Sequence, residues 1–355
     1  MPEVTFAVLG NTRPSSPLLD KGRAIEGSRA ADVIGDVIAQ SMLGKMDFVV
    51  HTGDMVTQSS PGAWSNFSTQ FSALIDGSTP PPSAARRLPI IPVAGDRDCA
   101  KESSCETFAA VFPGFGVDIG YGRVATWQAF QVKAGAGAPW RVLVLDSNKK
   151  GLGSRWNEQV AWLSQQATDP GQGFIVLVHE PLVSLVDSKH SAHTAELVSV
   201  IETHAPLLSI KAVFSAGPSL TQAFLPDGAF GVAHIGAGGG GAPVSDLHRG
   251  IAGVTTQTSL APVVESGVDA LVEAHQQRAE PPSTRAIEEA MGTGAFAGYP
   301  RVVSATEFPT NGWWKVHLKD GQIELMWRAL QPDGTFRDQA RLSWSRTDGW
   351  VSGAR

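Results

Sequence analysis

Short apolar runs that end in turn residues alternate along this chain with segments whose apolar residues recur at helical spacing. The alternation predicts an α/β (α+β) protein. Val4–Leu9 reads as a buried strand that breaks at Gly10-Asn11-Thr12-Arg13-Pro14, and 30–43 follows as a helix. The run 47–51 is β-branched and aromatic and ends in Gly53-Asp54, so it reads as a strand that delivers a carboxylate to the sheet edge where open α/β folds place ligands. A helix at 63–75, a Pro-rich linker at 79–83 and a strand at 88–94 that ends in Gly95-Asp96-Arg97-Asp98 continue the pattern.

Residues 99–135, rich in glycine and aromatics, read as a β excursion over the site. Further strands are expected at 140–146, 174–178, Ile210–Ser215 and 228–235, with helices at 154–166 and 192–204. Segment 246–300 has few apolar runs and reads as an insertion, whereas 312–345 reads as a closing β hairpin turned at Lys319-Asp320-Gly321. Five strand-terminal residues fall at one edge: Asn11, Asp54, Asp96, His179 and Gly217. The whole of 1–355 is expected to form one domain, and its 42% hydrophobic content is enough for a large core.

A formal charge of -6 carries no basic footprint for nucleic acid, so a small anionic ligand or a protein is the expected partner. No apolar run is long enough to cross a membrane and no export signal opens the chain. The location expected is therefore cytoplasmic, or periplasmic if a leader has been trimmed. Cys99 and Cys105 are too few for a disulfide framework and lack zinc-knuckle spacing; they read as free thiols, a small-loop disulfide being the alternative.

The order of strand ends resembles the calcineurin-like metallophosphoesterase superfamily, whose motifs D-x-H, G-D, G-N-H-[DE], H and G-H-x-H follow successive strands. The resemblance implies a two-sheet β-sandwich flanked by helices and a pair of divalent metals bridged by the G-D aspartate. Here the first motif reads Asn11-Thr12-Arg13, the second is intact as Gly53-Asp54, and the third reads Gly95-Asp96-Arg97-Asp98. His179 stands for the fourth, and the fifth reads Ala216-Gly217-Pro218-Ser219 with neither histidine. No slip of register restores them, because no histidine precedes His51, lies between His51 and His179, or lies between His204 and His234.

The first metal would have only Asp54 as a strong ligand, since a guanidinium offers no lone pair. The second would have Asp54, Asp96 and His179, but Arg13 and Arg97 balance the two carboxylates. A cation about 4 Å away opposes an incoming dication by roughly 8 kcal/mol at an effective dielectric of about 20. The arginines are therefore read as replacements for the metals, with no cofactor expected. Asn11, Arg13 and Arg97 would bind an anion, and Arg97 and Asp98 would remain as catalytic remnants.

On this reading the chain is a degenerate metallophosphoesterase, a pseudoenzyme that acts as a non-hydrolytic binding module. The rival is a phosphoesterase with one Mn, Fe or Zn ion on Asp54, Asp96 and His179, its phosphate held by Arg13 and Arg97. A third possibility is metal-free chemistry on an anionic substrate. Purely structural readings stand beside these: Asp54 satisfying loop amides, 96–98 as an ion-paired turn, and His179 as a packed neutral histidine. Asp187, His190 and His193 read as a solvated loop, and the glycines at 236–241 as a turn without Walker character.

Overall fold

A computed structural model describes residues 3–14, 28–72, 89–100, 105–112, 125–166, 173–181, 209–216, 221–226, 232–242, 302–308 and 310–353. Two seven-stranded sheets form the frame. The first comprises β1 (Val4–Leu9), β2 (Phe48–His51), β3 (Ile90–Pro92), β11 (Gly312–Lys319), β12 (Gln322–Leu330), β13 (Phe336–Ser345) and β14 (Gly349–Gly353), in the order β14-β13-β12-β11-β1-β2-β3. The second contains β4 (Gln128–Val132), β5 (Trp140–Val144), β6 (Phe174–Leu177), β7 (Ile210–Ser215), β8 (Thr221–Pro226), β9 (Ala233–Gly236) and β10 (Val302–Phe308), in the order β10-β8-β9-β7-β6-β5-β4.

Side-chain alternation explains the layering. In β1, Phe6 and Val8 enter the core shared with Trp140, Val142, Leu177 and Phe214 of the second sheet, while Ala7 and Leu9 face a separate helical layer. A strand covered on both faces can be almost wholly apolar, as β1 is apart from Thr5. In β11 the same period sends Trp314, Val316 and Leu318 to the inter-sheet core and Trp313 to the helices. The helical layer holds α1 (Ala30–Met42), α2 (Pro61–Gln70) and α3 (Glu106–Val111). Asp36 of α1 ties it to the sheet by accepting from Trp313 Nε1 at 2.9 Å and from Arg328 Nε at 2.6 Å. On the second sheet, α4 (Lys149–Leu152) leads into α5 (Arg155–Gln165), whose Gln159 bonds the Asp146 backbone with both ends of its amide.

Helix α2 starts two residues before the expected 63, because the Ser60 hydroxyl caps the Ala63 amide and Pro61 takes the first turn. The expected β excursion begins instead as α3: Phe108 and Phe112, four apart, pack together against Trp64. The closing hairpin is larger than expected, a four-stranded antiparallel meander β11-β12-β13-β14. The linker at 79–83, the helix at 192–204 and the insertion at 246–300 lie outside the described residues.

The expectation of free thiols is corrected. Cys99 and Cys105 form a disulfide with their Cα atoms 4.9 Å apart, Cys105 standing at the N-cap of α3. With a sequence separation of 6, loop-closure entropy assigns the crosslink about 2 kcal/mol. Urea melts with and without a thiol reductant are expected to differ by that amount, and coincident melts would refute it.

Candidate metal centre

The loops after β1, β2, β3, β6 and β7 meet at one edge of the frame and are laced by their backbones. Asn11 N–H donates to Gly53 O at 2.9 Å, Arg13 N–H to Asp54 O at 3.2 Å, and Ala216 N–H to His179 O at 3.0 Å. The Asn11 amide donates to Ala216 O at 2.8 Å. Asn11 and Asp54 both have φ 56°, a left-handed conformation that Asn and Asp tolerate better than most residues. Gly53 has φ 98°, and a Cβ there would stand 2.5 Å from His179 Nδ1. A Cβ on Gly95 would stand 2.5 Å from the Asp54 amide nitrogen. Both glycines are what lets His179 and the third loop close onto Asp54.

His179 lies between two carboxylates. Its Nε2 is 3.5 Å from Asp54 Oδ1 and 3.6 Å from Asp96 Oδ1. Its Nδ1 is 2.9 Å from Thr52 O and must carry the hydrogen, because a carbonyl only accepts. Nε2 is thereby turned toward the carboxylates, the arrangement of metal-ligating histidines whose other nitrogen donates to a carbonyl. One candidate ligand atom each from Asp54, Asp96 and His179 falls within 4.8 Å of the others. Asp54 Oδ1 is buried and has no hydrogen-bond partner among the described residues. A buried, unsatisfied carboxylate oxygen facing an imidazole nitrogen and a second carboxylate fits a divalent cation.

The electrostatics match this crowding. Burial pushes Asp54 up to about 7, against the opposing charge of His179 and with help from Asp96 and Asp98. Burial alone would lower His179, but the charge of Asp54 and the contact with Asp96 outweigh it and raise the imidazole to about 10. The half-exposed Asp96 is held below the ordinary carboxylate range, since the bond and charge of His179 overcome its partial desolvation. The two carboxylates thus favour the charged imidazole, whose proton an entering metal ion would displace. His179 is packed, as the structural reading had it.

The arginines also reach the cluster. Arg13 Nε lies 4.0 Å from Asp54 Oδ2 and is buried; Arg97 Nε lies 3.9 Å from Asp96 Oδ2 and is partly exposed. Each carboxylate has one guanidinium beside it. Asp98 does something else: Oδ2 accepts from the amides of Gly95 at 2.9 Å and Asp54 at 3.0 Å, and Oδ1 from those of Met55 at 2.9 Å and Val56 at 3.2 Å. Its carboxylate is fully buried and occupied by backbone. Gly217, Ser219, Asp187, His190 and His193 lie outside the described residues, and 236–241 is a turn whose Gly240 amide donates to Gly10 O.

Two features escaped sequence reasoning. One is the four-amide role of Asp98, for which the only signal was a second aspartate in a Gly-Asp-x-Asp turn. The other is His51, a polar residue ending an otherwise apolar strand and fully enclosed.

No protein-family model and no curated protein matches the chain. Among solved structures it is similar to a purple acid phosphatase, PPD1, from yellow lupin (Lupinus luteus) seeds, at 15% identity and a TM-score of 0.57. That match covers 98% of this chain but 54% of the lupin protein, so the chain spans about half the length of that structure. A dimetal phosphatase from Danio rerio aligns at 11% identity and a TM-score of 0.52, over 98% of this chain and 100% of the other. GAP50, the anchor in the inner membrane complex of Plasmodium, aligns at 14% identity and a TM-score of 0.52, over 93% and 85% of the two chains. With two helix-flanked sheets and the site at their shared edge, the chain has the calcineurin-like metallophosphoesterase fold.

Proposed function

We propose that this protein is a phosphate-binding module that carries one divalent cation on Asp54, Asp96 and His179, with Arg13 in place of a second cation, and that it lacks two-metal hydrolysis. The observation that carries the reading is the His179 imidazole aimed between two carboxylates, one of which has an arginine at 4.0 Å. It departs from the metal-free expectation because Asp54 Oδ1 is buried without a hydrogen-bond partner among the described residues.

The cation would be held by Asp54 Oδ1, Asp96 Oδ1 and His179 Nε2, and when bound it supplies Lewis-acid charge for an oxyanion. This chain's own residues supply the rest. Arg13 and Arg97 stand beside Asp54 and Asp96, so a bound dication would leave these four side chains a positive site suited to a phosphate oxyanion. Arg13, buried, gives that anion a fixed donor; Arg97, partly exposed at the rim, gives it a second. Asp98 keeps the Asp54 and Asp96 loops in register. Asn11, its amide committed to Ala216, holds the first loop. Among the described residues no ligand set for a second cation is found, so the reading includes neither a bridging water nor the paired clamp of a two-metal site.

Among chains of this fold, GAP50 is named as an anchor. The Cys99–Cys105 disulfide also favours an oxidising compartment outside the cytoplasm. The test is elemental mass spectrometry after incubation with Mn, Fe or Zn and desalting, alongside an aryl phosphate assay. About one equivalent per chain, lost in Asp54→Ala, is expected with no turnover. Two equivalents, or metal-stimulated hydrolysis abolished by Asp54→Ala, would replace this reading with an enzyme.

A further inference from the structure

His51 ends β2 with its ring fully buried, 5.9 Å from the ring of Phe67 and 5.8 Å from that of Phe71. A histidine on an apolar wall is usually a packing residue, but both nitrogens of this one are engaged with loops of the site. Gly53 N–H donates to Nδ1 at 3.2 Å, so Nδ1 must present its lone pair. The hydrogen of the neutral ring is then on Nε2, which donates to the Thr12 hydroxyl at 2.8 Å. The environment keeps the ring neutral, since burial and the nearby charge of His179 lower it to about 3. Thr12 is buried between Asn11 and Arg13, and Gly53 is bonded to Asp54.

We infer that His51 is a positioning residue that fixes the anion-holding Arg13 loop against the cation-holding Asp54 loop through one tautomer of its imidazole. The inference rests on the proposed function for what the two loops hold, but the geometry it claims is separable from it. The ring is a strut of defined length with a donor at one end and an acceptor at the other. Neither function passes through packing, so shape-preserving replacements can remove one bond at a time. Thr12→Val deletes the hydroxyl and leaves the ring in place. His51→Asn keeps an acceptor near the Nδ1 position and loses the reach to Thr12. His51→Phe keeps the aromatic contacts with Phe67 and Phe71 and loses both bonds.

The experiment measures Mn2+ and inorganic phosphate affinity by calorimetry on the disulfide-bonded protein, together with nitrogen-15 spectra of the ligand-free protein. In Thr12→Val, phosphate affinity is expected to fall about tenfold with Mn2+ affinity unchanged, the size of effect that outer-shell partners show. In His51→Phe both affinities should fall by about that factor, and His51→Asn should recover the Mn2+ half. If the variants lose thermal stability but bind as the wild type does, His51 is a packing residue and the inference is overturned. If the wild type retains no Mn2+, the proposed function fails, and the inference is judged on the spectra alone. They should show His51 as the Nε2–H tautomer and a shift of the Arg13 Nε–H signal in Thr12→Val. An Nδ1–H tautomer or an unmoved Arg13 signal would overturn it.

Discussion

Asp98→Ala is expected to destabilise the fold by about 4 kcal/mol and to abolish cation retention with it. The variant removes no packing of consequence, so its cost is that of four backbone amides, on Gly95, Asp54, Met55 and Val56, left without an acceptor. Each buried amide without a partner costs about 1–3 kcal/mol, and water at the sheet edge recovers part of the total. Asp98→Asn keeps one carbonyl oxygen and turns an NH2 group on the remaining donors, so it should fall between the wild type and alanine. Urea unfolding with an unchanged slope checks both variants, since the change is one of stability and not of compactness. A loss under about 1 kcal/mol for alanine would mean that the amides are satisfied in another way. The result would also separate Asp98, as the organiser of the Asp54 loop, from a catalytic remnant.

Arg13→Gln is expected to move the two affinities in opposite directions: Mn2+ binding tightens by about tenfold or more, and phosphate binding weakens by about the same factor. The cation effect follows from charge. A guanidinium at about 4 Å opposes a dication by roughly 8 kcal/mol at an effective dielectric of about 20, and tenfold requires only about 1.4 kcal/mol of this. Arg13 Nε is 4.0 Å from Asp54 Oδ2, so removing it also frees that oxygen for an ion. The anion effect has the same origin with the sign reversed, since a fixed donor has been lost. Calorimetry with Mn2+ and then phosphate reads both. Parallel weakening of both ligands would show that Arg13 orders the loop and does not stand in for a cation.

Much of the frame was legible in the sequence because its signals are local. Val4–Leu9 and Ile210–Ser215 are strands over the expected residues, and both are short, mostly apolar runs that end at turn residues. The residues at the strand ends were legible for the same reason: once the strands are fixed, Asn11, Asp54, Asp96 and His179 must emerge at one edge. What was hidden depends on pairs distant in the chain. The Asp98 carboxylate serves amides more than forty residues earlier, and His51 reaches back to Thr12. Cys99 and Cys105 are close in sequence, yet two cysteines alone did not say whether they pair, nor did the short apolar pattern after them announce the helix α3. The cation question was open in the sequence because charge counting weighs Arg13 and Arg97 equally against Asp54 and Asp96. Geometry separates them by burying Arg13 and leaving Arg97 at the rim.

The left-handed turn at Asn11 makes position 11 a place where charge and backbone are separable. Asparagine and aspartate share shape and tolerance of that φ, so exchanging one for the other alters the charge of the loop while sparing its path. The charge of this edge can thus be changed at position 11 without building a new backbone.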